Sequence, residues 1–183
     1  MTFARKTVFA VAASALLSGA AFASVMVGGQ AMFPTKNIVE NAANSADHTT
    51  LVGAVKAAGL VETLQSKGPF TVFAPVNAAF AALPAGTVET LLKPENKAAL
   101  TGVLTYHVVA GRVTYNDLRS KIQRGHGKAM LSTVAGGTLT AEMNGPINIV
   151  VKDATGGAAN ITVYDVIQSN GVIHSIDRVL LPK

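Results

Sequence analysis

The residues best suited to chemistry lie near the C-terminal end of the sequence. His174 has two serines nearby, Ser169 and Ser175, and two acids, Asp165 and Asp177. A serine hydrolase needs a serine, a histidine and a carboxylate in hydrogen-bonding contact. Adjacent side chains of a strand point to opposite faces, so His174 and Ser175 cannot meet on one side of a sheet. A hydrolase that uses His174 is therefore our third hypothesis, and we expect a protein that is not an enzyme.

Other catalytic and metal-binding patterns are absent from the sequence. It contains no cysteine, which excludes a disulfide framework, a thiol nucleophile and a cysteine-ligated metal. Its histidines are His48, His107, His126 and His174. They are far apart in sequence, whereas a structural zinc takes four ligands at short paired spacings. We expect no metal and no cofactor.

A basic segment is the strongest candidate for a binding surface. Its five basic residues are Arg112, Arg119, Lys121, Arg124 and Lys128. Gly125 and Gly127 predict an exposed, mobile loop here. Such a loop is either simply solvated or a docking patch for an anionic polysaccharide or for lipid headgroups. We expect no nucleic-acid partner, because only Tyr115 lies near enough to stack on a base.

The first 23 residues have the pattern of a secretory signal peptide. Arg5 and Lys6 precede an apolar run, and an A-x-A sequence at 21–23 follows it. We predict cleavage after Ala23. The 183-residue chain has a formal net charge of +5, which falls to +3 when Arg5 and Lys6 are removed. We expect a secreted monomer, periplasmic or extracellular, with no transmembrane segment in the mature chain.

Helical patterns dominate the first half of the remaining sequence. Asn37 is predicted to cap a first helix, and Thr49 or Thr50 a second. A short β-branched and aromatic run at 70–74 predicts a buried strand. Asn77 is predicted to cap the brief helix that follows this strand.

Strand patterns dominate the second half. The predicted strands cover residues 138–143, 147–151, 161–166 and 172–180. Helices followed by strands, without alternation, indicate an α+β fold with an antiparallel or mixed sheet. We expect one domain at 37–183, preceded by a lead-in at 24–36 that two glycines and a proline keep free of regular elements.

Three stretches of the sequence resemble signatures of the fasciclin domain family. They are TVFAPVNAAF at 71–80, LTYHVV at 104–109 and NGVIHSIDRVLLP at 170–182. Three supporting stretches lie in the first half, and all six occur in the order of the family. The likeness covers nearly all of the predicted mature chain.

The resemblance implies both a fold and a role. The implied fold is a wedge of two β-sheets with helices packed at one side and mostly in the N-terminal half. Fasciclin domains are associated with cell adhesion and surface contact, and they are not enzymes. In animal relatives a Tyr-His stretch and an Asp-Ile pair are tied to integrin binding, which corresponds here to Tyr106, His107, Asp165 and Ile167. Val166 interrupts the second pair, so we do not expect an integrin partner.

The same residues also have a structural interpretation. The signature residues are Thr71, Pro75, Asn77, Phe80, Asn170, Gly171 and His174. The first four are predicted to lie in a strand, to end that strand, to cap the next helix and to anchor that helix in the core, respectively. We expect Tyr106, His107 and His174 to be buried with hydrogen-bond partners, because buried polar groups are normally satisfied.

Two hypotheses from different classes precede the hydrolase. The leading one is a secreted, non-enzymatic fasciclin module that mediates adhesion or contact with a surface or matrix component, either a protein or an anionic polysaccharide. The second is an exported binder of a small or lipid-like ligand. A deep apolar pocket would favour the second, and a solid core with an exposed patch would favour the first.

Overall fold

The computed structural model describes residues 24–183, so the predicted signal peptide lies outside the described residues. The α-helices in this part are α1 (Ile38–Asn44), α2 (Thr49–Ala58), α3 (Val61–Gln65), α4 (Asn77–Ala81), α5 (Thr87–Leu92), α6 (Lys97–Tyr106) and α7 (Tyr115–Arg124). Short 3₁₀ turns at Ala46–His48 and Pro94–Asn96 lead into α2 and α6. Six of these seven helices precede residue 107, as predicted.

The strands form a two-stranded and a seven-stranded sheet. They are β1 (Val25–Val27), β2 (Gln30–Met32), β3 (Phe70–Pro75), β4 (Val108–Ala110), β5 (Lys128–Ser132), β6 (Thr138–Asn144), β7 (Asn148–Lys152), β8 (Ala158–Gln168) and β9 (Gly171–Ile176). The large sheet has the order β4-β3-β9-β8-β7-β6-β5. It is mixed, because β3 and β9 run parallel while the other neighbours are antiparallel.

The long strand β8 joins two halves of the large sheet. Its first residues pair with β7 and its later residues pair with β9. Register shifts between Ile161 and Val166 mark bulges, which bend a strand and increase its twist. The far ends of the sheet also meet, since the Val134 N–H donates to the Val108 carbonyl at 2.8 Å. The predicted two-sheet wedge is therefore two halves of one bent sheet, and the α+β fold is confirmed.

Each half of the sheet has its own apolar core. In one half, Leu118 and Ile122 of α7 pack into the cluster formed by the inner faces of β5 to β8. In the other half, helices α1, α2, α3 and α6 pack against β3, β4 and β9. Among residues 24–183, no helix is both long enough and apolar enough to cross a membrane.

Residues 24–36 differ from the predicted lead-in, because they form the β1–β2 hairpin. Gly28 and Gly29 form its turn, with φ angles of +59° and +72°. Val27 and Met32 are buried in the helical core. The glycines that appeared to break the chain instead allow it to reverse direction, because glycine adopts positive φ without steric cost.

The basic segment also differs from its prediction, since most of it is the helix α7 and not a loop. The Thr114 side chain accepts from the Asp117 N–H, and the Asp117 carboxylate accepts from the Thr114 N–H, which is a capping box. Leu118 and Ile122 are buried on the inner side of the helix. The glycines at 125 and 127 follow the helix and connect it to β5.

Two of the predicted helix caps are wrong. Asn37 caps α1 with a capping box to Glu40, as predicted. Neither Thr49 nor Thr50 caps α2, and Asn77 does not cap its own helix. The Asn77 carboxamide oxygen instead accepts from the Thr50 N–H at 3.0 Å, and its amide donates to the Ala46 carbonyl at 2.8 Å. Asn77 therefore caps α2 from a distant part of the sequence.

Candidate functional site

Tyr106 and His107 lie where α6 ends and β4 begins, and both are buried. The Tyr106 hydroxyl donates to the Thr138 carbonyl at 2.8 Å and accepts from the Ala154 N–H at 3.0 Å. It thereby ties the helix to the first residue of β6 and to the segment after β7. Burial raises the pKa of Tyr106. The side chain has no free polar group to offer a partner.

His107 has a fixed tautomer. Its Nδ1 lies 2.8 Å from the Val103 carbonyl and must carry the proton, because a carbonyl only accepts. Its Nε2 accepts from the Leu180 N–H at 2.9 Å. Burial lowers the pKa of His107 to about 4, so the ring is neutral at pH 7. His107 is therefore buried and hydrogen-bonded, as predicted from the sequence.

His174 is fully buried and its hydrogen bonds go to backbone atoms. Its Nε2 donates to the Val113 carbonyl at 2.8 Å, and its Nδ1 accepts from the Asp165 N–H at 3.3 Å. Its ring stacks on Phe73 with 5.6 Å between centroids. Burial lowers the pKa of His174. Ser175 instead contacts the ring of another histidine.

That histidine is His48, which lies between two buried serines. Ser45 Oγ is 2.9 Å from His48 Nδ1, and Ser175 Oγ is 3.4 Å from Nε2. All three residues are buried, and burial lowers the pKa of His48. None of the side-chain hydrogen bonds of residues 24–183 links a carboxylate to this histidine, so this group does not provide the triad geometry of a hydrolase.

Asp165 lies in a bulge of β8 with a left-handed φ of +53°. Its carboxylate accepts from the Tyr115 N–H at 2.7 Å, which is the first amide of α7. Its own N–H donates to His174, and Ile167 is half-buried further along β8. The bulge and the side chain of Asp165 therefore position α7. No hydrogen bond brings Asp165 together with Tyr106 or His107.

The signature residues connect elements that are distant in sequence. The Asn170 carboxamide oxygen accepts from the Ile38 N–H at 3.0 Å, and its amide donates to the Leu64 carbonyl at 2.7 Å. A side chain at Gly171 would overlap the Phe70 carbonyl, because β9 and β3 run closely side by side there. The hydroxyl of Thr71 accepts from the Val113 N–H at 2.9 Å.

The other signature residues act through packing. Pro75 is buried at the end of β3 opposite Ile176, and Phe80 is half-buried against the helical core. These contacts agree with the structural interpretation of the signatures.

The five basic residues of the 112–128 segment separate into three environments. Arg119, Lys121 and Arg124 are exposed on α7. Lys128 on β5 lies 3.5 Å from the Glu142 carboxylate. The Arg112 guanidinium, before the helix, donates to the Gln168 carbonyl at 3.0 Å. The helix therefore presents three of the five charges directly to solvent.

An apolar cleft in the helical half was not predicted as a particular site. It has a volume of about 60 Å³ and lies between α1, α2, α3, α6 and the sheet. Its walls include Ile38, Val55, Leu64, Val72, Leu104 and Val108. The helical periodicity of the sequence marks these residues as core, but it cannot show where neighbouring helices leave space. Lys56 lies at the exposed rim.

Comparison with known proteins decides the family. A family model described as the fasciclin domain matches residues 46–182. The chain belongs to the fasciclin domain family. The resemblance predicted from the three signature stretches is confirmed.

Relatives of this fasciclin domain occur in bacteria and in animals. A Synechocystis protein named sll1483 is 48% identical over 160 residues, which cover 87% of this chain and 81% of that protein. The cell surface glycolipoprotein MPB83 of Mycobacterium bovis is 34% identical, with coverage of 85% and 64%. The transforming growth factor-beta-induced protein ig-h3 of Sus scrofa is 34% identical over 72% of this chain, which corresponds to 17% of that longer protein.

A solved structure has the same fold. It is a FAS1 domain pair from the insect cell adhesion molecule Fasciclin I, which matches with a TM-score of 0.71 at 20% sequence identity. The match covers 81% of this chain and 51% of that chain. At this identity the likeness establishes the fold.

Proposed function

We propose that this fasciclin domain is a secreted, non-enzymatic module that attaches to an anionic polysaccharide through the exposed side of α7. The observation that carries the proposal is the set of three solvent-exposed cations, Arg119, Lys121 and Arg124, on one firmly anchored helix. Family membership supports an adhesive role, because the structural relative comes from a cell adhesion molecule. A relative named as a cell surface protein supports a location outside the cytoplasm.

The anchoring of α7 makes it suitable as a contact surface. Leu118 and Ile122 are buried beneath it, its N-terminus has a capping box, and Asp165 accepts from its first N–H. Cations on a fixed helix lose less conformational freedom on binding than cations on a mobile loop.

The cations are spread around the exposed side of the helix, with the Asp117 carboxylate near Lys121 and Arg124. Successive helical residues are about 100° apart, so Arg124 lies near the middle of the exposed side while Arg119 and Lys121 flank it. Lys128 adds a partly paired charge beyond the end of the helix. A polyanion with repeated charges, such as an acidic polysaccharide, can contact several of these groups together, which raises both affinity and association rate.

Within residues 24–183, the buried histidines form structural hydrogen bonds, which agrees with the proposed non-enzymatic role. His174 and His107 bond to backbone atoms, and His48 contacts two buried serines. We propose that the protein acts as a monomer and that cleavage after Ala23 releases it from the signal peptide.

Binding to immobilised dextran sulfate and alginate tests the proposal. We expect the purified protein to bind, with an affinity that falls at least tenfold between about 50 and 200 mM salt. The double variant Arg119→Glu/Arg124→Glu should bind at least tenfold more weakly than the wild type, because it reverses two of the contact charges.

The double variant Lys67→Glu/Lys93→Glu is the matched control, since it makes the same change in net charge at exposed positions outside α7. It should bind within about threefold of the wild type. Equal weakening by the two double variants would show that only net charge matters and would overturn the assignment to α7. Salt-independent binding would also overturn it.

A further inference from the structure

The apolar cleft of the helical half contains more space than a well-packed core normally leaves. Protein interiors have few voids larger than a water molecule. A volume of about 60 Å³ is enough for roughly four water molecules, at about 15 Å³ for each probe centre. The walls are mostly apolar, and empty apolar cavities of this kind stay dry and accept apolar guests. The cleft can therefore take a short alkyl group.

A lysine lies at the rim of the cleft, and a second lysine lies near the end of α2. Lys56 lines the cleft in the last turn of α2, and the exposed Thr63 lines it from α3. The Lys97 ammonium lies 3.4 Å from the position that a Cβ would occupy at Gly59, the residue that ends α2. Both ion pairs within residues 24–183 involve Glu142, so neither lysine is paired with a carboxylate there.

We propose that the cleft binds a small aliphatic carboxylate, with its alkyl chain among Val55, Val72 and Leu104 and its carboxylate at Lys56. The volume fits about four buried carbons, which corresponds to acids of roughly four to six carbons. The Lys56 ammonium favours a carboxylate over a neutral or cationic head group, because a charge-assisted hydrogen bond is stronger than a neutral one. This site is independent of the polysaccharide surface on α7.

Titration with hexanoate, with 1-hexanol as the neutral analogue, tests the site. Methyl-detected NMR of the purified protein should show shifts at Val55, Val72 and Leu104. Calorimetry should give a hexanoate Kd of about 1 mM or tighter, and hexanol should bind several-fold more weakly.

Two substitutions and a matched control separate the two parts of the site. Lys56→Met removes the charge but keeps most of the aliphatic side chain. It should weaken hexanoate binding about tenfold and change the affinity for hexanol less than twofold. Lys93→Met, at an exposed lysine outside the cleft, is the matched control and should change neither. Ala42→Leu adds a side chain that fills the cleft and should abolish binding of both. If Ala42→Leu fails to fold, Val108→Ile adds one methylene to the wall and should weaken both ligands.

Some outcomes would overturn the proposal. Shifts at surface methyls without shifts at the three cleft residues would place hexanoate elsewhere. Unchanged hexanoate binding in Lys56→Met would show that Lys56 does not bind the carboxylate. Unchanged binding in a folded Ala42→Leu would show that the alkyl chain does not bind in the cleft. None of these results depends on dextran sulfate binding, so this proposal and the proposed function can fail separately.

Discussion

At the residue scale, buried histidines make the stability of this domain depend on pH. His48, His107 and His174 are all buried, and burial lowers the pKa of each. In His107 and His174 one ring nitrogen donates to a carbonyl while the other accepts from a backbone N–H. A second proton on either ring would face that N–H and break the bond. The fold therefore depends on neutral histidines.

We predict that acid destabilises the domain, with His107 as a main cause. Its folded pKa is about 4 and its unfolded pKa about 6.5, so the unfolded chain binds protons first as the pH falls. The contribution of His107 to the free energy of unfolding is fully present above about pH 6.5. It is lost as the pH falls towards 4. His107 alone should cost about 2–3 kcal/mol between pH 7 and pH 4.5. Urea unfolding at pH 7, 5.5 and 4.5 measures this loss.

Two histidine variants test whether His107 causes the loss of stability in acid. His107→Gln should have a lower free energy of unfolding than the wild type at pH 7. On acidification, however, this free energy should fall by about 2 kcal/mol less than in the wild type, because the glutamine side chain cannot titrate. His126 is exposed, so His126→Asn should keep the acid sensitivity of the wild type. A wild-type pH dependence in His107→Gln would show that this residue is not responsible.

At the scale of the elements, N–H groups at the N-termini of three helices donate hydrogen bonds to side chains that are distant in sequence. Asn170 accepts from the first N–H of α1, Asp165 from the first N–H of α7, and Asn77 from the Thr50 N–H of α2. The first amides of a helix have no partner within it. These long-range caps fix the helices to the sheet and to one another as well as completing their ends.

We predict that Asn77→Ala lowers the free energy of unfolding by about 1–2 kcal/mol, the usual cost of losing a helix cap. Hydrogen exchange should show faster exchange of the Thr50 amide, because that amide loses its acceptor. Asn77→Asp keeps the acceptor and should retain most of the protection at Thr50. Loss of protection confined to α4, with Thr50 unchanged, would contradict the long-range cap.

The N-terminal hairpin is an integral part of the whole molecule. Val27 and Met32 enter the helical core. The Asn41 side chain accepts from the Phe33 N–H at 3.0 Å and donates to the Phe33 carbonyl at 2.8 Å, which holds the end of the hairpin against α1. The hairpin therefore belongs to the same folded unit as the residues that follow Asn37.

The two methionines of the hairpin provide a matched test of this role. Met32 is 3% exposed and Met26 is 59% exposed. Met32→Ala should reduce the free energy of unfolding by about 2–4 kcal/mol, because it leaves a cavity in the core. Met26→Ala should change it by less than about 0.5 kcal/mol. Equal effects in thermal or urea unfolding would mean that the hairpin does not pack as described.

The family, the α+β class, most of the strands and the burial of Tyr106, His107 and His174 could be predicted from the sequence alone. These follow from local patterns of apolar and polar residues and from family signatures, which act over a few residues. The three-dimensional fold was needed to show that Asn77 caps α2, that Asp165 supports α7, and that an apolar cleft opens beside Lys56. Each of these depends on how segments far apart in the chain meet, and no local periodicity contains that information.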